Sequence, residues 1–171
     1  ISTYPNYKIT VADTGSEEKS LNEIRDYCKS QDVKLIEFEF YHFAGTNNDV
    51  VKNYCDNDTE LLLFCNNDIE LINDVISEMV SLYLKNKKSC GTIGARLYFD
   101  DNTVQHAGIM LFGRPQKSGQ MQIGLSHNGF RSSYNYPTNN LTDTLGNTGA
   151  LLLIKKTLFE DVGMFNESYM D

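Results

Sequence analysis

The sequence predicts an α/β fold with a largely parallel sheet, and three observations carry that prediction. The first half alternates short apolar runs with amphipathic stretches in the order strand, helix, strand, helix, strand, helix, the order that builds parallel sheets covered by helices. Leu61-Leu62-Leu63-Phe64-Cys65 is a continuous apolar run that stops abruptly at Asn66-Asn67-Asp68. It reads as a strand buried on both faces with a polar turn at its carboxyl end, where ligands sit in open α/β sheets. After about residue 90 the alternation gives way to a hairpin and then to a long stretch without apolar period.

Taken in order, Lys8 to Ala12 reads as the first strand, closed by the turn Asp13-Thr14-Gly15-Ser16. Ser16 is expected to N-cap the next helix, with Glu17 and Glu18 complementing its dipole. Leu21, Ile24 and Cys28 fall on one face of that helix. Val33, Leu35 and Phe38 mark a second strand, continued by Phe40. A second helix is expected from about Asn47 to Asp56, with Val50, Val51 and Tyr54 inward. After the Leu61 strand, Ile72, Val75, Ile76, Met79, Leu82 and Tyr83 form a 3.6-residue stripe, the pattern of core packing against a sheet. Cys90 to Phe99, the turn Asp100-Asp101-Asn102 and Thr103 to Phe112 make a hairpin. From Gly113 to Asn140 glycine, serine, asparagine, glutamine and tyrosine dominate, which reads as a long loop. A strand over Leu141 to Leu145, a buried run over Ala150 to Ile154 and a short helix over Lys155 to Asp161, stopped by Gly163 at C′, complete the expectation.

Composition narrows the function. A chain of 171 residues suggests one domain with room for a core. Its 40% hydrophobic and 22% charged residues are ordinary for a soluble globular protein. A formal net charge of -8 argues against nucleic acid or an anionic membrane surface as the main partner. An anionic nucleotide still fits if a divalent cation lies between. No run is long and apolar enough to span a bilayer. Cys28, Cys55, Cys65 and Cys90 are scattered singly, without metal-ligand spacing or a disulfide framework, so a reducing, cytoplasmic compartment is expected. His42, His106 and His127 are likewise isolated and do not read as a zinc site or a Cys/His nucleophile pair. The chain begins at Ile1 without a leader and stops at Asp171, and the expectation is a piece of a longer polypeptide.

Four landmarks then fall in one order. They are Tyr4-Pro5-Asn6-Tyr7-Lys8-Ile9-Thr10-Val11-Ala12-Asp13-Thr14-Gly15-Ser16; Leu63-Phe64-Cys65-Asn66-Asn67-Asp68; Gly91-Thr92-Ile93-Gly94-Ala95-Arg96-Leu97-Tyr98 leading into Gln105-His106-Ala107-Gly108; and Thr148-Gly149-Ala150 with Phe159, Val162-Gly163 and Phe165-Asn166-Glu167. Together they resemble the family 2 glycosyltransferases, enzymes of the GT-A nucleotide-sugar fold. The first is similar to the family's Asp-Asn-Gly-Ser turn, with Thr14 in place of Asn, and the second to its degenerate Asp-x-Asp motif in an Asn-Asn-Asp form. The fourth departs from the family at Met164 and Asn166. Asn48 matches a family segment ending in Arg-Asn or Asn-Asn, although Asn47 stands where many relatives have Arg.

The resemblance implies one truncated core over residues 1–171, with a nucleotide-binding half (1–88) and an acceptor-side half (89–171). The family's first strand and helix would precede Ile1, and its catalytic base would fall just past Asp171, so no catalytic residue is assigned and weak transfer is expected. Without the family's first strand, the Ile9 and Leu61 strands would pair directly, leave a gap or accept a strand from another molecule, and a homodimer through an unpaired sheet edge is one of these expectations. The implied reaction moves a sugar from a pyrimidine nucleoside diphosphate sugar (UDP- or dTDP-type) to a glycan or lipid-linked saccharide, inverting by analogy, in the cytoplasm or at the inner face of the membrane. Asp68 is the candidate ligand for Mn²⁺ or Mg²⁺, which want oxygen donors. Asp13, Gly15, Asn48, Asn66 and Asn67 are the nucleotide-sugar candidates. For Asp13 the role is to accept the pyrimidine ring N–H, with an Asx-turn as the other reading. His106 and His127 are placed on the acceptor side, with a packed structural histidine as the alternative for His106; Tyr134 and Tyr136 could stack on sugar rings. Two other readings stay open: a sugar-phosphate nucleotidyltransferase, or a non-catalytic module binding glycan or protein through the Gly113–Asn140 loop.

Overall fold

The structure is a computed structural model that describes residues 2–135 and 143–169. Its elements, in chain order, are β1 (Thr10–Thr14), α1 (Glu18–Ser30), β2 (Lys34–Phe38), α2 (Phe43–Tyr54), β3 (Leu61–Cys65), α3 (Val75–Asn86), β4 (Thr92–Gly94), β5 (Leu97–Tyr98), β6 (Val104–His106), β7 (Ile109–Pro115), β8 (Met121–His127), β9 (Leu151–Lys155) and α4 (Lys156–Asp161). They form two compact units, one of Tyr4–Glu60 with Lys156–Asp171 and one of Ile1–Thr3 with Leu61–Lys155.

In the first unit β1 and β2 pair in parallel, from Thr10 opposite Lys34 to Thr14 opposite Phe38, with α1 as the crossover. Leu21 and Cys28 of α1 are buried, as the helical spacing predicts. Phe40 lies beyond β2 and is exposed. The second helix starts four residues before the predicted Asn47. His42 caps it, its Nδ1 accepting the Gly45 N–H at 3.0 Å. Histidine is outside the usual capping set of serine, threonine, aspartate and asparagine, so no start signal is visible there. Ala44, Thr46, Asn48 and Val51 are its buried residues, while Tyr54 is exposed. α4 ends as predicted. Gly163, at φ +89°, sends its N–H to the Glu160 carbonyl at 3.0 Å, and Met164 sends its own to Phe159 at 2.8 Å. That pair of bonds is a Schellman stop.

The second unit contains the correction to the sheet. β9 lies between β3 and β4 and runs antiparallel to both, Leu61 opposite Lys155 and Thr92 opposite Ile154. β5–β6 and β7–β8 are antiparallel pairs as well. The largely parallel sheet is therefore confined, among the described residues, to β1–β2. Strand–helix alternation fixes local order, but a strand from far along the chain supplied the neighbour of β3. Leu151 to Ile154 are all buried, so β9 is the strand buried on both faces; in β3 the fully buried residues are Leu62 and Phe64. In α3, Met79, Val80 and Tyr83 are buried, but Ile72 precedes the helix and is exposed.

The long loop without apolar period is also corrected. Residues read as patternless contain the second half of a seven-pair ribbon, β7 with β8. Met121, Ile123 and Leu125 alternate at strand period. Interleaved glycine, glutamine and serine hid that alternation. The predicted strand over Leu141–Leu145 lies partly outside the described residues, and residues 143–145 are not strand. No helix among the described residues is long and apolar enough to cross a membrane.

Candidate functional site

Asp13 is buried at the carboxyl end of β1. Its Oδ2 accepts the backbone N–H groups of Gly15 and Ser16, each at 3.2 Å, and its Oδ1 accepts the Ser16 hydroxyl. Ser16 is thus a partner of Asp13 rather than the cap of α1, whose N-cap residue is Glu17 and makes no side-chain bond. Burial pushes the Asp13 carboxyl up, but the hydrogen bonds from Ser16 and Gly15 outweigh it and hold the group below the usual carboxylate range. A carboxylate offers about four acceptor positions. The turn uses three, which leaves one on an ionised, orientationally fixed group. Gly15 sits at φ +95°, and a side chain there would meet the Glu39 carbonyl oxygen at 3.0 Å. The Asx-turn and the ligand-acceptor readings of Asp13 are therefore compatible.

Asn48 is buried in the same unit and has its amide engaged. Nδ2 donates to the Phe165 carbonyl and to Glu167 Oε1, both at 2.8 Å, and Oδ1 accepts the Phe165 N–H at 3.1 Å. It clasps α2 to the Phe165–Glu167 segment, where Phe165 packs against the rings of Phe43 and Phe159 at 5.2 and 5.0 Å. A cavity of about 430 Å³ opens beside this clasp, lined by Lys52, Met164 and Asn166 among others. Neither Asp13 nor Gly15 lines it.

In the other unit, Asn66, Asn67 and Asp68 are exposed in the turn after β3. The Asn66 N–H donates to the Ala150 carbonyl at 2.9 Å, which ties the turn to the Thr148-Gly149-Ala150 segment leading into β9. The described residues contain no cluster of three His, Cys, Asp or Glu side chains able to hold an ion. Asp68 offers one exposed carboxylate beside the amides of Asn66 and Asn67. That donor set fits a hard cation arriving with a diphosphate, which would bring most of the oxygen ligands itself.

His106 is 1% exposed. Its Nε2 accepts the Thr148 N–H at 3.3 Å, and its Nδ1 is buried with no partner among the described residues. The ring meets that of His127 edge-on at 4.8 Å, and His127 bonds in turn to the Gln105 carbonyl at 3.2 Å. Burial, and then the neighbouring His127, lower the His106 pKa to about 4. The structure thus brings His106 and His127 together. It also links His106, through Thr148 and Ala150, to the turn carrying Asp68.

The β5–β6 hairpin joins Tyr134, a sugar-stacking candidate from the sequence, to aromatic residues that the sequence reading did not single out. Residues 131 and 132 run back along β6: the Arg131 N–H reaches the Val104 carbonyl at 2.8 Å and the Val104 N–H reaches Ser132 at 2.9 Å. This brings Tyr134 onto Tyr98 in a stacked pair at 4.8 Å and Phe130 edge-on to Phe99 at 5.7 Å. Arg96 lies over Tyr98 at 5.3 Å and Arg131 over Phe99 at 3.9 Å. Tyr134 and Phe130 keep exposed faces, so the cluster is an aromatic platform flanked by guanidinium groups. The signal was the recurrence of aromatics after Gly129, inside the stretch read as a loop. Tyr136 and Asp171 lie outside the described residues.

Comparison with known proteins gives a family and two relatives. The family described as "Glycosyl transferase family 2" matches residues 2–163. An uncharacterized protein, y4gI, of Sinorhizobium fredii is 29% identical over 96% of this chain and 18% of its own length. The O-antigen biosynthesis protein RfbC of Myxococcus xanthus is 26% identical over 97% of this chain and 13% of its own. The chain therefore spans less than a fifth of the length of these curated relatives. No solved structure matches it.

Proposed function

For a chain that belongs to the family 2 glycosyltransferases, we propose the role of donor-handling core in transfer of a sugar from a pyrimidine nucleoside diphosphate to a hydroxyl of a glycan or lipid-linked saccharide, with inversion. The observation that carries this reading is Asp13: buried, held ionised by its own turn, with one acceptor position left. A pyrimidine ring N–H matches that position, because a fixed carboxylate discriminates by geometry and charge. Gly15, at φ +95° and close against the Glu39 carbonyl, lets the turn adopt this conformation.

Asp68 would hold a Mn²⁺ or Mg²⁺ ion, which supplies Lewis-acid compensation for charge developing on the leaving diphosphate. Asn66 and Asn67 present neutral amides that can hydrogen-bond the donor's sugar and ribose. His106 keeps the Thr148–Ala150 segment, and through it the Asn66 backbone, in one arrangement. The Tyr98–Tyr134 platform offers apolar ring faces for an acceptor saccharide. The name of the Myxococcus relative supports a surface polysaccharide as the product class.

A thermal-shift panel with UDP, dTDP, GDP and CDP, with and without Mn²⁺, tests this. A ligand at a hundred times its Kd adds about 2.7 kcal/mol, a shift of about 5–10 °C for a domain of this size. The expected result is a manganese-dependent shift with one pyrimidine diphosphate that Asp68→Ala abolishes. No shift with either UDP or dTDP would overturn the proposal.

A further inference from the structure

Residues paired directly across an antiparallel ribbon share a face. In β7–β8 the pairs Leu111–Leu125, Gly113–Ile123 and Pro115–Met121 fall on one face, and Met110–Ser126, Phe112–Gly124 and Arg114–Gln122 on the other. The first face also includes the Ile109–His127 pair at its base, where His127 meets His106, and from Leu111 to Met121 it is apolar. Its Leu111, Met121, Ile123 and Leu125 are 54%, 60%, 71% and 65% exposed. A two-stranded ribbon is marginal in water by itself, and an exposed stripe of this kind marks a contact surface.

Charge identifies the partner's chemistry. The chain as a whole carries -8, yet between Asp101 and Asp143 there is no carboxylate, only Arg114, Lys117 and Arg131. Arg131 is paired with Asp101 at 3.2 Å. Arg114 and Lys117, at the far end of the ribbon, have no ion-pair partner among the described residues. The whole-chain argument against anionic surfaces does not reach this segment. One strand layer is about 10 Å thick, so both cations lie within about a Debye length of whatever the apolar face rests on. Five aliphatic side chains at on the order of 100 Å² each offer about 500 Å², short of the ~800 Å² per partner of a stable protein interface. A lipid surface has no such threshold, because apolar insertion and headgroup attraction add gradually.

We propose that the β7–β8 ribbon is a membrane-surface contact, its Leu111–Pro115–Met121–Ile123–Leu125 face resting in the interface of an anionic bilayer with Arg114 and Lys117 on the headgroups. This site is separate from the donor site, and its test uses no nucleotide. Flotation of the chain with phosphatidylcholine vesicles, with and without phosphatidylglycerol, reads it directly. The chain should float with the anionic vesicles at low salt and not with phosphatidylcholine alone. Arg114→Glu/Lys117→Glu should weaken that binding by at least about tenfold, since each basic residue near the surface contributes roughly fivefold. Ile123→Ser/Leu125→Ser should weaken it similarly. Gln122→Ser, on the opposite face, should leave it unchanged, and all these exposed positions keep the far-UV spectrum of the parent. Absence of flotation with anionic vesicles, or flotation untouched by Ile123→Ser/Leu125→Ser, would overturn the proposal. So would a dimer in sedimentation that the same double substitution dissociates, since the face would then belong to a second copy.

Discussion

Asp13 and Asp68 look alike in the sequence: each is a carboxylate in the polar turn that follows an apolar run. Their surroundings are opposite. Asp13 is buried, accepts three hydrogen bonds from Gly15 and Ser16, and is held ionised. Asp68 is exposed in a turn whose Asn66 N–H is bonded to the Ala150 carbonyl. A fixed carboxylate recognises a donor group of fixed direction. An exposed one can adjust to a cation whose other ligands vary. Under the proposed function, the fixed carboxylate would read the base and the adjustable one would meet the metal.

The two sites should separate first in stability. Asp13→Ala removes the acceptor for two backbone N–H groups and a hydroxyl beside a buried position, and should cost about 1–3 kcal/mol in urea denaturation. A cost near zero would show that the turn holds itself. Next comes pH, acting on the Asp68 side through His106. Its folded pKa, about 4, lies below the ordinary value of 6.5, so the unfolded chain takes up a proton first. Stability from the neutral ring is complete above pH 6.5, falls as pH drops and is exhausted near pH 4. The urea midpoint should decline through that window, and His106→Asn should flatten the decline above pH 5, where carboxylates contribute least. The Asp13 carboxyl is depressed, so its own contribution persists until pH falls below about 4.

Ser16→Ala removes one of the three bonds to Asp13 and should cost about 0.5–1.5 kcal/mol by the same denaturation. The smallest stability effect belongs to Asp68→Ala, within about 0.5 kcal/mol of the parent, even as the manganese-dependent nucleotide shift disappears. A large loss of stability there would mean that Asp68 also supports the fold.

Where elements depended on nearby residues, they were legible. The β1–α1–β2 unit, the buried run of β9 and the Gly163 stop all follow from short-range spacing. Asp13 and Asp68 were visible as strand-end carboxylates, but not their difference, which depends on how deeply each turn is buried. The pairing of β9 between β3 and β4 was not legible, because nothing in Leu61–Cys65 specifies a partner some ninety residues on. His106 stood out only within a tetrapeptide. Its engagement with Thr148 and His127 required strands to be placed side by side. Tyr134 was named as a stacking residue, but its platform with Tyr98, Phe99 and Phe130 escaped because the members come from a hairpin and from a segment without periodicity.

The position of β9 also dictates an order of events during synthesis. β3 and β4 leave the ribosome long before Leu151–Lys155, the strand that bonds to both. Until then their backbone groups lack that partner, and closing the sheet requires a loop of about ninety residues, at an entropic cost that grows only slowly with length. Such non-local pairing slows folding and leaves strand edges open to other chains meanwhile. A nascent chain arrested before Leu151 should therefore bind holdase chaperones, and one arrested with α4 fully emerged should not.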